Sequence, residues 1–466
     1  MRKAHTVRHA RLVGAASVVL TGTLVLAGCA SGGGSSNASG GSGSGGNASA
    51  TNCFLNGSGP TPAPVGNPSG KTTITFMEAM SGGTLKSSLQ HLTSQFEAAD
   101  PNITVQLEES PDYGTLEKNE KDAVSAHKAP TIGQAYEGWA AEYARSGVID
   151  TISQQSGGAD SAATSALYGG VAADQKLCDG NVWMWPFNKS AYVNFYNPTM
   201  LQAAGRSGAP TTWAQFATDA KAVSKNGVTG ITIDPGGKGD LTADGVWFEI
   251  LAEAYGTPVF DTNGVPQFNG PGVVKAMQYL ADLKKSGALA VGKNFPGETA
   301  LGAQKGLFDI SSVAGYSFEQ QAVGNKFPLG TADLPAGPAK QANQVNGTNI
   351  VIFDQATTAQ KQAAWKFMQF LTTAASQAYW ATNTGYLPVT PAALDQMTTF
   401  LAKNPWMRTA AGALSHSSGS APVPWADDTQ DELSVALADV LTKGTDPKAA
   451  LDKAQSDAMA DMKASQ

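Results

Sequence analysis

Apolar side chains recur along this chain with two alternating periods. "KTTITFMEAM" (residues 71–80) interleaves β-branched and polar residues and runs into a Ser-Gly-Gly turn, after which Leu85, Leu89, Leu92 and Phe96 follow at helical spacing. "DPNITVQLEE" restarts a strand after an Asp-Pro-Asn turn, Tyr113 to Ser125 reads as a second helix, and "PTIGQAYEG" as the next strand. The rhythm returns later. Trp213, Phe216, Ala220 and Val223 share one helix face, with Thr212 and Gln215 spaced as a capping box and Gly227 beyond the end. Val273, Met277, Leu280 and Leu283 mark a helix begun by Asn269-Gly270-Pro271 and stopped by Gly287. Short strands such as "GITI" and "NIVIF" lie between helices, and the last hundred residues are mainly helical, with "AAWKFMQFL" and "DELSVALADVL" the most amphipathic stretches. Alternation of this kind in the opening stretch predicts an α/β lobe with a mostly parallel sheet.

One stretch breaks the pattern. "WPFNKSAYVNFYNPTMLQAAG" (Trp185 to Gly205) sets Pro, Asn, Lys and Ser inside a strand-like run before turning into a small helix. Polar groups in a buried strand need partners, and this stretch raises the question of what its polar groups face.

At 466 residues the chain exceeds what one hydrophobic core serves, so two lobes are expected. Arg2, Lys3, Arg8 and Arg11 precede an apolar run from Leu12 to Ala27, too short to span a bilayer comfortably, which reads as a secretory signal. It ends in Leu26-Ala27-Gly28-Cys29, which resembles a bacterial lipobox and implies acylation of Cys29. Cleavage after residue 28 leaves 27 basic against 38 acidic side chains, a net charge of −11. That balance, with only 15 % charged residues, disfavours a nucleic-acid partner. The Ser-, Gly-, Asn- and Pro-rich stretch to residue 70 reads as a flexible tether. Cys53 and Cys178 are then an even pair in an exported chain. A disulfide is favoured over a metal or catalytic thiol because no His or second Cys lies at ligand spacing.

Catalytic motifs are sparse. His91, His127 and His416 are scattered outside the leader, which disfavours a zinc site. Gly236-Gly237-Lys238-Gly239-Asp240 lacks the Ser or Thr of a phosphate loop, and Gly315-Tyr316-Ser317-Phe318-Glu319 lacks the second Gly of a nucleophile elbow. Asp112 and Glu137 form a conceivable glycosidase pair, against the simpler reading of solvated acids. Aromatic and uncharged polar residues at strand ends stand out more: Trp139 after Glu137, Trp183 and Trp185 before Pro186-Phe187-Asn188, Trp247, and Tyr386 in "TNTGYLP". Rings for C–H faces and amides or carboxylates for hydroxyls suit a sugar or polyol, while core packing is the competing explanation for each Trp.

The segments "QAYEGW", "PFNKSAYVNFYNPTMLQAAG", "TTWAQFATDAKA", "AWKFMQFLT", "TGYLPVTPAALD" and "KGTDPKAALDKA" resemble, in order and spacing, the extracellular solute-binding proteins (family 1) of carbohydrate ATP-binding-cassette (ABC) importers, closest to the glycerol-3-phosphate and glycerophosphodiester branch. The resemblance implies a two-lobed periplasmic-binding-protein (type II) fold with a hinge and an interlobe ligand cleft. Its expected organisation is 1–28 signal peptide, 29–70 tether, 71–187 first lobe with 300–345 returning to it, 188–299 second lobe, and 346–466 the second lobe's helical remainder. It implies ligand contacts from Tyr113, Glu137, Asn188, Ser190, Trp247, Gly315, Gly347 and Tyr386, with Glu78, Asp112, Trp139, Ser312, Ser317 and Gln430 as further candidates. In that branch an Arg grips phosphate, and Gln430 stands at the aligned position. A neutral amide does not replace a guanidinium fork, which points to a neutral sugar or oligosaccharide, with Lys189 and Lys238 as the remaining cations. The expectation is therefore a non-enzymatic, cofactor- and metal-free, monomeric binding protein. It is held on the outer face of the cell membrane by its N-terminal lipid alone and delivers solute to permease subunits. Glycerol-3-phosphate or glycerophosphodiester binding, a glycoside hydrolase and a surface interaction protein are the alternatives.

Overall fold

The computed structural model describes residues 53–55, 61–159, 161–238 and 246–466. Cys29, the signal segment and most of the tether lie outside them, as does most of the Gly236-to-Gly245 loop. Thirteen strands form two sheets among the described residues. In chain order they are β1 (Thr72–Glu78), β2 (Ile103–Glu109), β3 (Ile132–Ala135), β4 (Ile149–Asp150), β5 (Trp185–Pro186), β6 (Ser190–Tyr196), β7 (Thr229–Ile233), β8 (Leu289–Val291), β9 (Gly306–Ser312), β10 (Gly330–Ala332), β11 (Asn343–Asn346), β12 (Asn349–Phe353) and β13 (Ser417–Ser418).

The first sheet runs β2-β1-β3-β12-β4, with β5 also on β12. Its parallel part is the strand-helix alternation: β1 pairs with β2 and β3, and the helix Gly83–Ala99 lays Leu89, Leu92 and Phe96 on it. The second sheet runs β13-β11-β6-β9-β7-β8, with β10 also on β6. It carries a core of its own in which Phe216 stacks on Phe308 with centroids 4.3 Å apart. Two sheets with separate cores make the two-lobed α/β fold.

The chain's path between lobes differs from the expected division. Residues 300–345 do not return to the first lobe: β9, β10 and β11 all belong to the second sheet, where Leu307, Phe308 and Ile310 enter its core. Nor does 346–466 stay in the second lobe. β12 lies between β3 and β4 in the first sheet, and its five residues are all buried, as an interior strand requires. The helix Thr358–Leu371 then gives Trp365, Phe367 and Met368 to the first core, and the chain recrosses between Trp380 and Leu387. The lobes are thus joined at residues 187–189, 347–348 and near 385.

Local signals otherwise act as the chemistry dictates. Asp112 caps the helix Tyr113–Ser125, accepting from Thr115 N at 2.7 Å. Thr212 caps Trp213–Val223, but Gln215 reaches back to Thr211 rather than Thr212, so the reciprocal capping box is displaced by one residue.

Candidate functional site

Asn188 is the first residue past β5 that has left one lobe without joining the other. Its Oδ1 accepts from Thr348 N (3.1 Å), Thr348 Oγ1 (2.6 Å) and Gln134 Nε2 (3.3 Å), and its Nδ2 donates to Tyr113 OH at 2.8 Å. Two crossing strands and two first-lobe elements are therefore tied through one amide. The Tyr113 hydroxyl lies 3.3 Å from that of Tyr386, whose ring stacks on Trp380. Tyr136 extends the cluster edge-on to Tyr113 and to Trp139, at 5.3 and 5.1 Å between centroids. Burial pushes the Tyr113 and Tyr136 hydroxyls well above their ordinary range, so both are neutral donors at any physiological pH. The structure thus brings Tyr113, Asn188 and Tyr386 together, with Trp139 one ring away.

Glu137 is placed differently. It opens the helix Glu137–Arg145 and faces Lys189, whose fully buried Nζ lies 3.0 Å from Glu137 Oε1, 2.5 Å from Asp174 Oδ2 and 3.2 Å from Gly347 O. Asn349 Nδ2 adds a bond to Glu137 at 2.7 Å. Burial and the neighbouring Asp174 carboxylate raise the Glu137 carboxyl, while the two acids keep Lys189 charged despite its burial. Lys189, read as a spare cation, is used here. Lys238, the other, is exposed and pairs with Glu432 at 3.1 Å.

Gly347 also has a structural task. Its φ is +93°, and a Cβ there would come within 1.9 Å of Asn188 O, so the close approach it permits is between crossing backbones. Trp247, 2 % exposed, stacks parallel to Trp213 in the second core (6.2 Å, 12°), because the apolar face of the helix Val246–Ala254 turns it inward. It does not line the gap. Asp112 is occupied as a helix cap, and Ser317 points to solvent from the helix Tyr316–Val323. Glu78 is buried and accepts from Met80 N at 2.5 Å. Ser312 Oγ donates to Ser190 Oγ at 2.9 Å across β6 and β9, and a Cβ on nearby Gly315 would meet open space.

A cavity of about 370 Å³ opens between Lys176, Leu177 and Cys178 of the first lobe and a second-lobe wall of Glu249, Glu253, Phe260, Asp261, Gln344 and Ser418. Gln430 stands behind that wall, donating from Nε2 to Glu249 Oε1 at 2.7 Å. Burial lifts the Glu249 carboxyl to about 7, against the opposing hydrogen bonds from Gln430 and Gln344. Sequence reasoning missed this wall and also Tyr136. The available signals were Tyr136 beside Glu137 in "QAYEGW" and the acids Glu249 and Glu253, four residues apart on an otherwise apolar helix. Among the described residues no group of His, Cys, Asp and Glu side chains is arranged to hold a metal ion, and no helix is long and apolar enough to cross a membrane.

Two lobes, three crossing segments and a gap walled by both define a solute-binding architecture. Residues 91–409 match the family described as bacterial extracellular solute-binding protein, and the chain belongs to that family. Its members bind small solutes for ABC importers and deliver them to permeases; they are not enzymes. The chain is 27 % identical over 365 residues to the sn-glycerol-3-phosphate-binding periplasmic protein UgpB of Shigella dysenteriae, covering 74 % of this chain and 81 % of that one. The Escherichia coli K12 protein of the same name gives the same identity and coverage. Among solved structures, UgpB from Mycobacterium tuberculosis in complex with glycerophosphocholine superposes with a TM-score of 0.72 at 21 % identity, over 84 % of this chain and 99 % of that one. The cyclic alpha-maltosyl-1,6-maltose binding protein of Arthrobacter globiformis gives 0.74 at 17 % identity, over 84 % and 100 %.

Proposed function

We propose that this chain captures a neutral sugar or oligosaccharide between its lobes and hands it to an ABC permease, while a lipid on Cys29 holds it at the outer face of the cell membrane. The observation that carries the choice of solute is the charge of the gap. The cavity-lining residues include Glu249, Glu253 and Asp261 but one lysine, Lys176; Glu253 is paired with Lys340 at 2.6 Å, and Gln430 offers an amide to Glu249 rather than a guanidinium to a phosphate. Tyr113, Tyr136, Trp139 and Tyr386 add neutral rings and hydroxyls of the kind sugars use. Ligand would bridge the lobes and favour the closed state, with the three crossings as hinges.

Calorimetric titration with neutral mono- to tetrasaccharides, glycerol 3-phosphate and glycerophosphocholine tests this. Heat from a neutral saccharide alone is expected; binding restricted to the phosphates would overturn it. The phosphate reading is the alternative because the curated relatives quoted above are glycerol-3-phosphate binders by name.

A further inference from the structure

The described end of the N-terminal segment touches both lobes. Cys53 is disulfide-bonded to Cys178, whose neighbour Leu177 packs in a first-lobe cluster with Trp139, Trp183 and Ile149. Beyond it, Ala63 N donates to Thr151 O at 2.8 Å and Thr151 N to Thr61 O at 3.0 Å. The segment is therefore fastened to the first lobe on both sides of Phe54. Phe54 packs on that same cluster and also sets its ring at 81° to Trp425, centroids 5.9 Å apart. Trp425 belongs to the second lobe: its Nε1 donates to Gly264 O at 2.8 Å, and it clusters with Val423, Ala426 and Met462. Two residues on, Asp427 receives Trp139 Nε1 at 3.2 Å, so the gap is closed along this side by contacts between lobes.

We propose that the Cys53–Cys178 bond and Phe54 form a redox-sensitive strap that favours the closed arrangement of the lobes. With the bond intact, Phe54 is pinned beside Trp425 from both sides; with it cut, only the Thr61 and Ala63 bonds to Thr151 and its own packing hold the segment, so the effective concentration of Phe54 at Trp425 falls. A dithiol supplies the two electrons and two protons that leave Cys53 and Cys178 as thiols, and is itself oxidised to a cyclic disulfide. The strap rests on the hinged two-lobe reading but not on the identity of the solute.

The test needs no solute. Energy transfer between fluorophores on non-natural residues replacing exposed Lys128 and Lys285 reports lobe separation in the purified protein. An edge-to-face ring pair shifts such an equilibrium by about 2- to 12-fold, so Phe54→Ala should raise the open-to-closed ratio by that factor, dithiothreitol should raise it in the same direction by no more than Phe54→Ala does, and reducing Phe54→Ala should add little. Phe54→Leu, which keeps most of the packing, should fall between. Identical distributions for oxidised protein, reduced protein and Phe54→Leu would overturn the strap, as would opening on reduction that Phe54→Ala does not reproduce. Either result would leave the calorimetric question untouched.

Discussion

The Nζ of Lys189 lies 3.0 Å from Oε1 of Glu137, so the strand that crosses between lobes is fastened to the first turn of a first-lobe helix by a buried hydrogen bond from an ammonium. Asp174, 2.5 Å from the same Nζ, completes a triad in which two carboxyl groups share one ammonium. Buried triads are held by mutual compensation: each charge is tolerable only while its partners remain.

Lys189→Met should therefore cost about 3–5 kcal/mol by leaving carboxylates buried and unpaired. The loss should depend on pH. The Glu137 carboxyl titrates higher in the folded chain than in the unfolded one, so the native state holds a proton that the unfolded state has released. Its contribution then falls as pH rises through that interval and improves on acidification. Thermal melts at pH 5 and pH 8 should show the variant's deficit relative to the parent shrinking at pH 5; an equal deficit at both would refute the triad's role.

Glu249 gives a second pH signature with the same sign. Its folded value of about 7 stands above the ordinary 4.5, so its contribution to stability declines between those values as pH increases. Glu249→Gln removes the titration, and its melting temperature should gain on the parent's from pH 5 to pH 8, by at most about 3 kcal/mol of unfolding free energy. Parallel curves for parent and variant would contradict the assignment.

Tyr113 and Trp247 should separate binding from packing. Tyr113→Phe loses the hydroxyl that Asn188 donates to and that lies against Tyr386, yet keeps the ring contact with Tyr136. Its expected effect is a weaker solute affinity with a melting temperature within a few degrees of the parent. Trp247→Ala should instead cost about 3–5 kcal/mol of stability, since it empties a core position stacked on Trp213. Affinity of the folded fraction should persist. Calorimetry and melts on both variants check this, and the reverse assortment would place Trp247 in the gap.

Asn188→Ala should be the most damaging single change among the crossing residues' uncharged side chains. It strands Thr348 N and the Thr348 hydroxyl proton, each unsatisfied group costing about 1–3 kcal/mol, while Gln134 Nε2 keeps its bond to Thr348 Oγ1 at 2.7 Å. Faster amide exchange at Thr348 and its neighbours is the expected readout; unchanged protection there would show that other groups replace the Asn188 oxygen.

The local chemistry of these elements was legible in the sequence, and their assignment to lobes was not. Tyr113–Ser125, Trp213–Val223 and Pro271–Lys285 follow from spacing and caps, because helix faces are set within a few turns. That β12 belongs to the first sheet and β9 to the second depends on pairing across more than a hundred residues, which "NIVIF" and "GLFDISS" do not encode separately. The polar run at Phe187-Asn188-Lys189 was visible as an anomaly. Its use was less so: Asn188 joins the tyrosines, but Lys189 turns inward to acids 52 and 15 residues away. Trp247 misled for a simpler reason, since a Trp beside a glycine-rich loop offers the same letter whether its ring faces a solute or a core.

The central claim is that the two lobes close on an uncharged polyhydroxylated solute, and small-angle scattering of the purified protein during titration with a neutral saccharide tests it most directly. A radius of gyration that falls to a plateau at one solute per chain, and does not respond to glycerol 3-phosphate, is the predicted result. A radius unchanged by every neutral saccharide but reduced by glycerol 3-phosphate would contradict the account.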